Sequence, residues 1–130
     1  MFEEDYIMRM FNQFFEDLSL FLSKGRMVNK EKEIQILYET YFHPSVYYYE
    51  KNIHDIYALF SQYSQEEQIY RMSMLAELFY QDALIQNSDL KNSLLEKSLF
   101  LFETIETKSN TFSLDRRMRI RQIEGILKTH

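Results

Sequence analysis

The sequence predicts an all-α fold, and two observations support this prediction. The 130 residues include only 2 glycines and 1 proline, whereas a β-sheet protein needs a turn about every 8–12 residues, made mostly from Gly, Pro, Asn and Asp. Long stretches rich in Leu, Glu, Lys, Gln and Met instead carry apolar residues at steps of three and four, which is typical of amphipathic helices. We therefore expect five or six antiparallel helices on short loops, in a single domain spanning residues 1–130.

The first predicted helix comes from "DYIMRMFNQFFEDLSLFLSKG". Its apolar side chains form a broad stripe that comprises Ile7, Met10, Phe11, Phe14, Phe15, Leu18, Phe21 and Leu22. We expect Gly25 to end this helix in the left-handed conformation common at helix C-termini. Because the stripe is wider than one neighbouring helix needs, two interpretations stay open. The helix is buried among several others, or it is partly exposed to a partner or a second copy.

The second predicted helix covers about residues 30–42. Its apolar positions repeat the helical spacing at Ile34, Leu37, Tyr38, Tyr41 and Phe42. Pro44 disfavours the helical conformation at the preceding residue, His43, so we expect the helix to stop there.

A cluster of tyrosines, "SVYYYEKN", follows the proline. Apolar residues continue at helical steps through it, so one long helix is possible. Asn52, with Asp55 three residues later, could instead begin a fresh helix at residue 53 and leave 45–50 as a separate turn. In either arrangement we interpret most of the cluster as core and boundary packing, because Tyr commonly buries its ring and leaves its hydroxyl in water.

A helical hairpin is predicted for about residues 65–108. Ser64, followed by Glu67 three residues later, forms a capping box that opens a long helix. In the loop "QNSD", we expect Asn87 and Ser88 to end this helix and to cap the start of the second helix of the hairpin. After the polar stretch "KSNTFS", we expect Ser113 to cap the last helix.

This hairpin resembles a tetratricopeptide unit, which packs a small residue of its first helix against an Ala-Leu step of its second. The stretch "MLAELFYQDA" supplies Ala76 and Phe79, and "LLEKSLFLF" supplies Ser98 in the alanine position. Lys91 stands where the unit has a small residue, and no second copy of the unit is visible. We therefore expect one hairpin of this packing type and not a repeat array.

The stretches "EEDYIMRM", "LAELFYQDAL" and "LLEKSLFLFE" resemble a family of short, uncharacterised bacterial all-helical proteins that open with Asp-Tyr-Ile-x-Arg-x. The resemblance covers the first helix and residues 66–104. It implies an all-helical fold and a bacterial cytoplasm, and it carries over no activity and no site residue.

Composition argues against several functional classes. Without cysteine the chain forms no disulfide, thiolate zinc site or cysteine nucleophile. Its two glycines are isolated, so no glycine-rich phosphate loop is present. None of the three histidines, His43, His54 and His130, has a second histidine at helical ligand spacing. We therefore expect no catalytic residue, no metal site and no cofactor.

Localisation is predicted from the N-terminus and from hydropathy. The first ten residues carry three acids before any base, the reverse of a signal peptide. No apolar run approaches the roughly 18–20 residues of a membrane span. We expect a soluble cytoplasmic protein with no membrane span.

The C-terminal stretch "DRRMRIRQIEGILK" is basic, whereas the rest of the chain is acidic. Residues 115–130 hold five Lys and Arg against two acids, a net charge of +3, while the other 115 residues hold ten against eighteen, a net charge of −8. Its arginines are Arg116, Arg117, Arg119 and Arg121. We expect this face to dock on the acidic body of the same chain, and we regard nucleic-acid binding as disfavoured by the net charge of −5.

These observations predict a non-catalytic helical domain for protein–protein interaction or scaffolding. Its predicted partner-binding residues are Phe11, Phe14, Phe15, Tyr47 and Tyr48. The width of the apolar stripe also predicts a symmetric homodimer through the first helix. The alternative hypothesis is a small regulatory protein that binds an anionic ligand or nucleic acid through the C-terminal arginines.

Overall fold

The all-α prediction is confirmed by a computed structural model, which describes residues 2–25 and 29–129. Within these ranges there is no strand, and the helices are α1 (Phe2–Ser23), α2 (Lys30–Tyr41), α3 (Ser45–Tyr49), α4 (Ile53–Ala58), a 3₁₀ helix (Leu59–Gln62), α5 (Gln65–Ile85), α6 (Ser88–Lys108) and α7 (Leu114–Lys128). The seven α-helices exceed the five or six expected, because the segment between α2 and α5 is divided into short helices.

The division between α3 and α4 is made by a local cap. The Asn52 side chain accepts a hydrogen bond of 2.9 Å from the backbone N–H of Asp55, so α4 begins afresh at Ile53. Of the two arrangements left open for the tyrosine cluster, the separate turn is therefore the one that forms. The same kind of bond opens α5, where the hydroxyl of Ser64 accepts from the N–H of Glu67 at 3.2 Å.

The end of α1 differs from the prediction. Gly25 does not have a positive φ, so the expectation of a left-handed glycine there is wrong. The carbonyls at the end of the helix are satisfied by a side chain instead. Lys30 Nζ donates to the carbonyl oxygens of Phe21 at 2.7 Å and Lys24 at 2.8 Å. A cation at this position also favours the negative end of the helix dipole.

The α5–α6 hairpin is the centre of the molecule. Its helices approach closely at Ala76 and Ser98, both fully buried, and the Ser98 hydroxyl donates to the Ala76 carbonyl at 2.7 Å. The turn between them places Asn87 at the N-cap of α6 without a side-chain cap bond, and Ser88 adopts φ 56°. Helices α1 and α2 pack on α5, and α3, α4 and α7 pack on α6. One hydrophobic core contains residues from all seven helices.

A buried carboxylate joins three helices on one side of this hairpin. Asp82 of α5 is fully buried. Its Oδ2 accepts hydrogen bonds from the hydroxyls of Tyr38 in α2 at 2.7 Å and Tyr49 in α3 at 2.6 Å, while Oδ1 accepts from Gln86 at 3.0 Å. Because a buried polar group is costly unless it is hydrogen-bonded, these partners fix the positions of α2 and α3 on α5.

A buried lysine stands on the same side. Lys97 of α6 donates from Nζ to the carbonyls of Tyr48 at 2.9 Å and Tyr49 at 3.4 Å. These carbonyls lie at the C-terminal end of α3, where the Tyr48 carbonyl also accepts a hydrogen bond of 3.4 Å from the backbone N–H of Lys51. Burial lowers the pKa of Lys97. The lysine thus serves as a side-chain cap that holds α3 on α6.

Candidate functional site

An open groove lies between α1 and α7, with α5 as its floor. Its volume is about 770 Å³. We call it the α1–α7 groove. The polar stretch that connects α6 to α7 closes one end, through residues that include Ser109, Thr111 and Ser113.

The α1 wall of the groove is apolar. It is formed by Phe11, Phe15, Leu18 and Leu22, which share one face because they recur at helical steps of four, three and four. Phe11 packs against Phe15 with ring centroids 4.8 Å apart and against Tyr70 of α5 at 5.2 Å. Leu22 keeps 50% of its surface exposed. This wall therefore presents aromatic rings that pack on α5 and an aliphatic side chain that is exposed to water.

The α7 wall is mixed. Asp115, Met118 and Gln122 line it, and they share a face at steps of three and four. Met118 is 52% exposed and is therefore open to a ligand. The start of this wall is fixed by Ser113, whose hydroxyl accepts from the N–H of Arg116 at 3.2 Å, as the sequence predicted.

An ion pair in the floor of the groove ties α7 to α5. Arg119 donates to Glu77 from Nε at 2.9 Å and from Nη2 at 2.8 Å, the bidentate geometry that makes such pairs strong. The Arg119 guanidinium also lies 4.0 Å from the centre of the Tyr80 ring, and Gln81 donates to Glu77 at 2.9 Å. Both charges are therefore already paired within the chain.

The predicted docking of the basic C-terminal face on the acidic body is confirmed. Besides the pair in the groove floor, Arg116 bonds the Glu106 carboxylate and donates to the Thr111 carbonyl at 2.9 Å. Arg117 lies 3.4 Å from the same carboxylate. Arg121 is exposed and has no ion pair with any residue in the described ranges. Three of the four arginines thus hold the helix in place.

The predicted partner-binding residues of α1 fall on two different faces. Phe11 and Phe15 line the groove, as a binding surface requires. Phe14 is fully buried and packs edge-on against Tyr41 of α2 at 5.2 Å, so it presents no surface to a partner and its assignment was wrong. Phe14 and Phe15 point in different directions because successive residues of a helix differ by about 100° around its axis.

The predicted tyrosines do not join this surface. Tyr48 is 2% exposed and packs against Phe79 at 5.6 Å, so its assignment to a partner surface was also wrong. Tyr47 is half-buried, lies 4.5 Å from the His43 ring, and does not line the groove. Both tyrosines belong to α3, on the other side of the hairpin, which is why they cannot act together with α1.

A second, smaller pocket of about 260 Å³ lies near Phe42, Tyr48, Tyr63 and Arg71. The guanidinium of Arg71 lies 4.0 Å from the Tyr63 ring centre. It is also paired with Glu67 at 3.2 Å. The guanidinium of Arg71 therefore already contacts both an aromatic ring and a carboxylate of the same chain. Of the two cavities, the α1–α7 groove is the larger and more open.

Sequence reasoning named Arg119 but missed its partner in the groove floor, Glu77. Glu77 interrupts the apolar stretch "MLAELF", and a charge within a run of apolar residues that is typical of a buried helix is a signal for a specific partner. The identity of that partner could not be read from sequence, because Arg119 lies 42 residues away.

The comparisons with known proteins assign no family. The chain matches no protein-family model, and no curated protein or solved structure is significantly similar to it. Within the described ranges, no helix is both long enough and apolar enough to cross a membrane.

Proposed function

We propose that this chain is a non-catalytic helical domain for protein–protein interaction, and that the α1–α7 groove is its binding surface. The observation that carries the proposal is the combination of a partly exposed apolar wall with a floor whose charges are already paired. Amphipathic helices bind in grooves of this kind through apolar residues repeated at helical spacing.

The length of the groove suits a short helix. Its α1 wall runs from Phe11 to Leu22, eleven residues along the chain, or about 16 Å at about 1.5 Å per residue. This equals about three turns of a bound helix, enough to place three or four apolar side chains on one face. We therefore propose an amphipathic helix as the bound element.

The paired floor also favours an apolar ligand surface. An isolated charge at the bottom of a groove would lose its water when an apolar side chain covered it, at a large cost in free energy. Arg119 and Glu77 instead neutralise each other at 2.8 Å. Met118 and Leu22 can therefore be covered by apolar side chains without leaving a charge unpaired beneath them.

The alternative, an anionic ligand or nucleic acid on the C-terminal arginines, receives less support. Arg116 and Arg119 bind carboxylates of the same chain, and Arg117 lies close to one. A phosphate would have to displace these partners. The resemblance to a bacterial all-helical family and to a tetratricopeptide hairpin agrees with an interaction domain in a bacterial cytoplasm, and this too is part of the proposal.

Site-specific photo-crosslinking in cells tests the groove. A photoreactive amino acid replaces Ser19, which lines the groove and is exposed, and a control replaces Thr40, which is exposed on α2. We expect a discrete protein adduct from position 19 and not from position 40. If both positions give the same adducts, or neither gives one, the proposal is wrong.

Two matched substitutions give the test its control. Leu22 and Ile36 are 50% and 49% exposed, so replacing either by glutamate removes a similar apolar surface. Leu22→Glu introduces a charge into the groove wall and should abolish the adduct from position 19. Ile36→Glu introduces the same charge on α2 and should leave the adduct unchanged. Equal loss in both variants would indicate general destabilisation and count against the groove.

A further inference from the structure

We infer that the element bound in the α1–α7 groove is a second copy of this chain, placed by a two-fold axis so that α7 of each copy lies against α1 of the other. The inference rests on the proposed function of the groove and names its partner. It is carried by the charges of the two walls and by the exposed apolar side chains beside them.

The two helices that flank the groove carry opposite net charge, although Arg116, Arg117 and Arg119 of α7 are already paired within the chain. Helix α1 (Phe2–Ser23) holds five acids and one arginine, a net charge of −4, and α7 (Leu114–Lys128) holds five bases and two acids, a net charge of +3. A partner that presents a basic helix edge to α1 and an acidic helix edge to α7 therefore suits the overall charge of both helices. A second copy, related by a two-fold axis, presents that pair of helices in that order.

Individual charges stand at the edges where such a contact would form. Glu16 is exposed three residues before Ser19, and Arg121 is exposed three residues after Met118. Ser19 and Met118 line the groove, and residues three apart share one side of a helix. Glu16 and Arg121 therefore lie along the outer edges of opposite walls, where each can meet the other residue of a second copy.

An apolar ridge on the C-terminal side completes the complementarity. Phe112, Leu114 and Met118 are 74%, 61% and 52% exposed. Leu114 and Met118 lie one turn apart, so they project along the same edge of α7. A two-fold interface requires a patch that is complementary to itself. A protruding apolar ridge next to an apolar groove meets this requirement, because each ridge can enter the groove of the other copy.

This arrangement differs from the symmetric contact between two first helices that the sequence predicted. Two copies of α1, each with a net charge of −4, would repel each other when placed side by side. The apolar side chains of that helix are also divided, because Phe14 and Phe21 are buried within the monomer. Pairing α1 with α7 removes the repulsion and uses the side chains that remain exposed.

Charge reversal followed by sedimentation equilibrium tests the inference. We expect the wild-type chain to dimerise in the micromolar range. Glu16→Arg or Arg121→Glu alone would place like charges at both symmetric contacts and raise the dimer dissociation constant by about tenfold. The double variant, and an equimolar mixture of the two single variants, should recover wild-type affinity because each contact again joins opposite charges.

The controls are Glu39→Arg and Lys32→Glu, which reverse exposed charges on α2 and should leave the dissociation constant unchanged. A wild-type chain that stays monomeric overturns the inference, as does a dimer that the double variant fails to restore. A monomer that still forms an adduct with a different protein from position 19 overturns the second copy alone. A monomer without any adduct overturns the proposed function as well.

Discussion

On the side of the α5–α6 hairpin that faces α2 and α3, ionisable side chains are buried and joined by hydrogen bonds. Asp82 holds two tyrosine hydroxyls and Lys97 holds two carbonyls there. On the side that carries α1 and α7, the ion pair between Glu77 and Arg119 lies in the floor of an open groove. We call the first side the closed side, because its polar groups are buried and hydrogen-bonded. We call the second the open side, because its groove is accessible to water.

The two sides therefore differ in how strictly they specify the packing of their helices. Buried polar groups destabilise any arrangement in which they lose their partners, so they specify how α2 and α3 must pack. The groove has no such requirement, because its charges are satisfied in the floor and its apolar walls can be either wet or covered. The closed side accordingly fixes the fold, and the open side is the one that we propose as a binding surface.

Alkaline pH should break the closed side first and unfold the protein. Burial raises the pKa of Tyr38, Tyr48 and Tyr49 above the ordinary value of 10.0, so the unfolded chain loses these protons at lower pH than the folded one. Stability is therefore fully present below pH 10 and falls as the pH rises above it. The lowered pKa of Lys97 acts in the opposite direction, but it is one group against these three and Tyr41, whose pKa is also raised by burial.

The measurement is the urea midpoint by circular dichroism between about pH 8 and pH 11. Tyr49→Phe should reduce the slope of stability against pH, whereas Tyr6→Phe, which removes a tyrosine that is 56% exposed, should not. A midpoint that stays constant through pH 11 would contradict the assignment of these tyrosines to the closed side.

Removal of the buried carboxylate should be the most damaging single substitution. Asp82→Ala leaves the hydroxyls of Tyr38 and Tyr49 without their acceptor in the interior, and we expect a loss of about 3–5 kcal/mol in the free energy of unfolding. Gln86→Ala is the control, because it removes only the 3.0 Å bond to the other carboxylate oxygen and should cost about 1 kcal/mol. Equal losses for the two variants would show that the tyrosine bonds do not dominate.

Breaking the ion pair in the groove floor should cost less. Arg119→Ala removes two hydrogen bonds to Glu77 and the contact with Tyr80, but water in the open groove can replace them. We expect a loss of about 1–2 kcal/mol by chemical denaturation. Arg121→Ala, at an exposed arginine of the same helix, should change stability by less than about 0.5 kcal/mol. If Arg119→Ala lowered the free energy of unfolding as much as Asp82→Ala, the polar contacts of the two sides would contribute equally to stability, and the contrast between the closed side and the open side would be wrong.

The smallest effect on stability is expected in the groove wall. Leu22→Glu and Ile36→Glu both alter side chains that are about half exposed, so each should shift the free energy of unfolding by less than about 0.5 kcal/mol. The two variants should nevertheless differ in binding, because only Leu22→Glu should abolish the crosslinked adduct from position 19. If Leu22→Glu unfolds the chain, the α1 wall is part of the core and not an open surface.

The sequence predicted local features well. The caps at Ser64 and Ser113 form as expected, because the hydroxyl acceptor and the N–H donor lie three residues apart in the chain. The capping box at the start of α5 is only half formed, since the Glu67 carboxylate pairs with Arg71 and does not return to Ser64. Nearby side chains compete for the same carboxylate, and the sequence does not rank them.

What the sequence determined by itself is the helical class, most helix starts and the breadth of the apolar stripe on α1, because these depend on residues within a few turns of one another. Which edge of that stripe is covered depends on where α2 and α5 lie, so Phe14 is buried while Phe15 lines the groove. The pairing of Glu77 with Arg119 across 42 residues was likewise decided by tertiary packing. Long-range partners are selected by the positions of whole helices, and the pattern within one helix does not contain them.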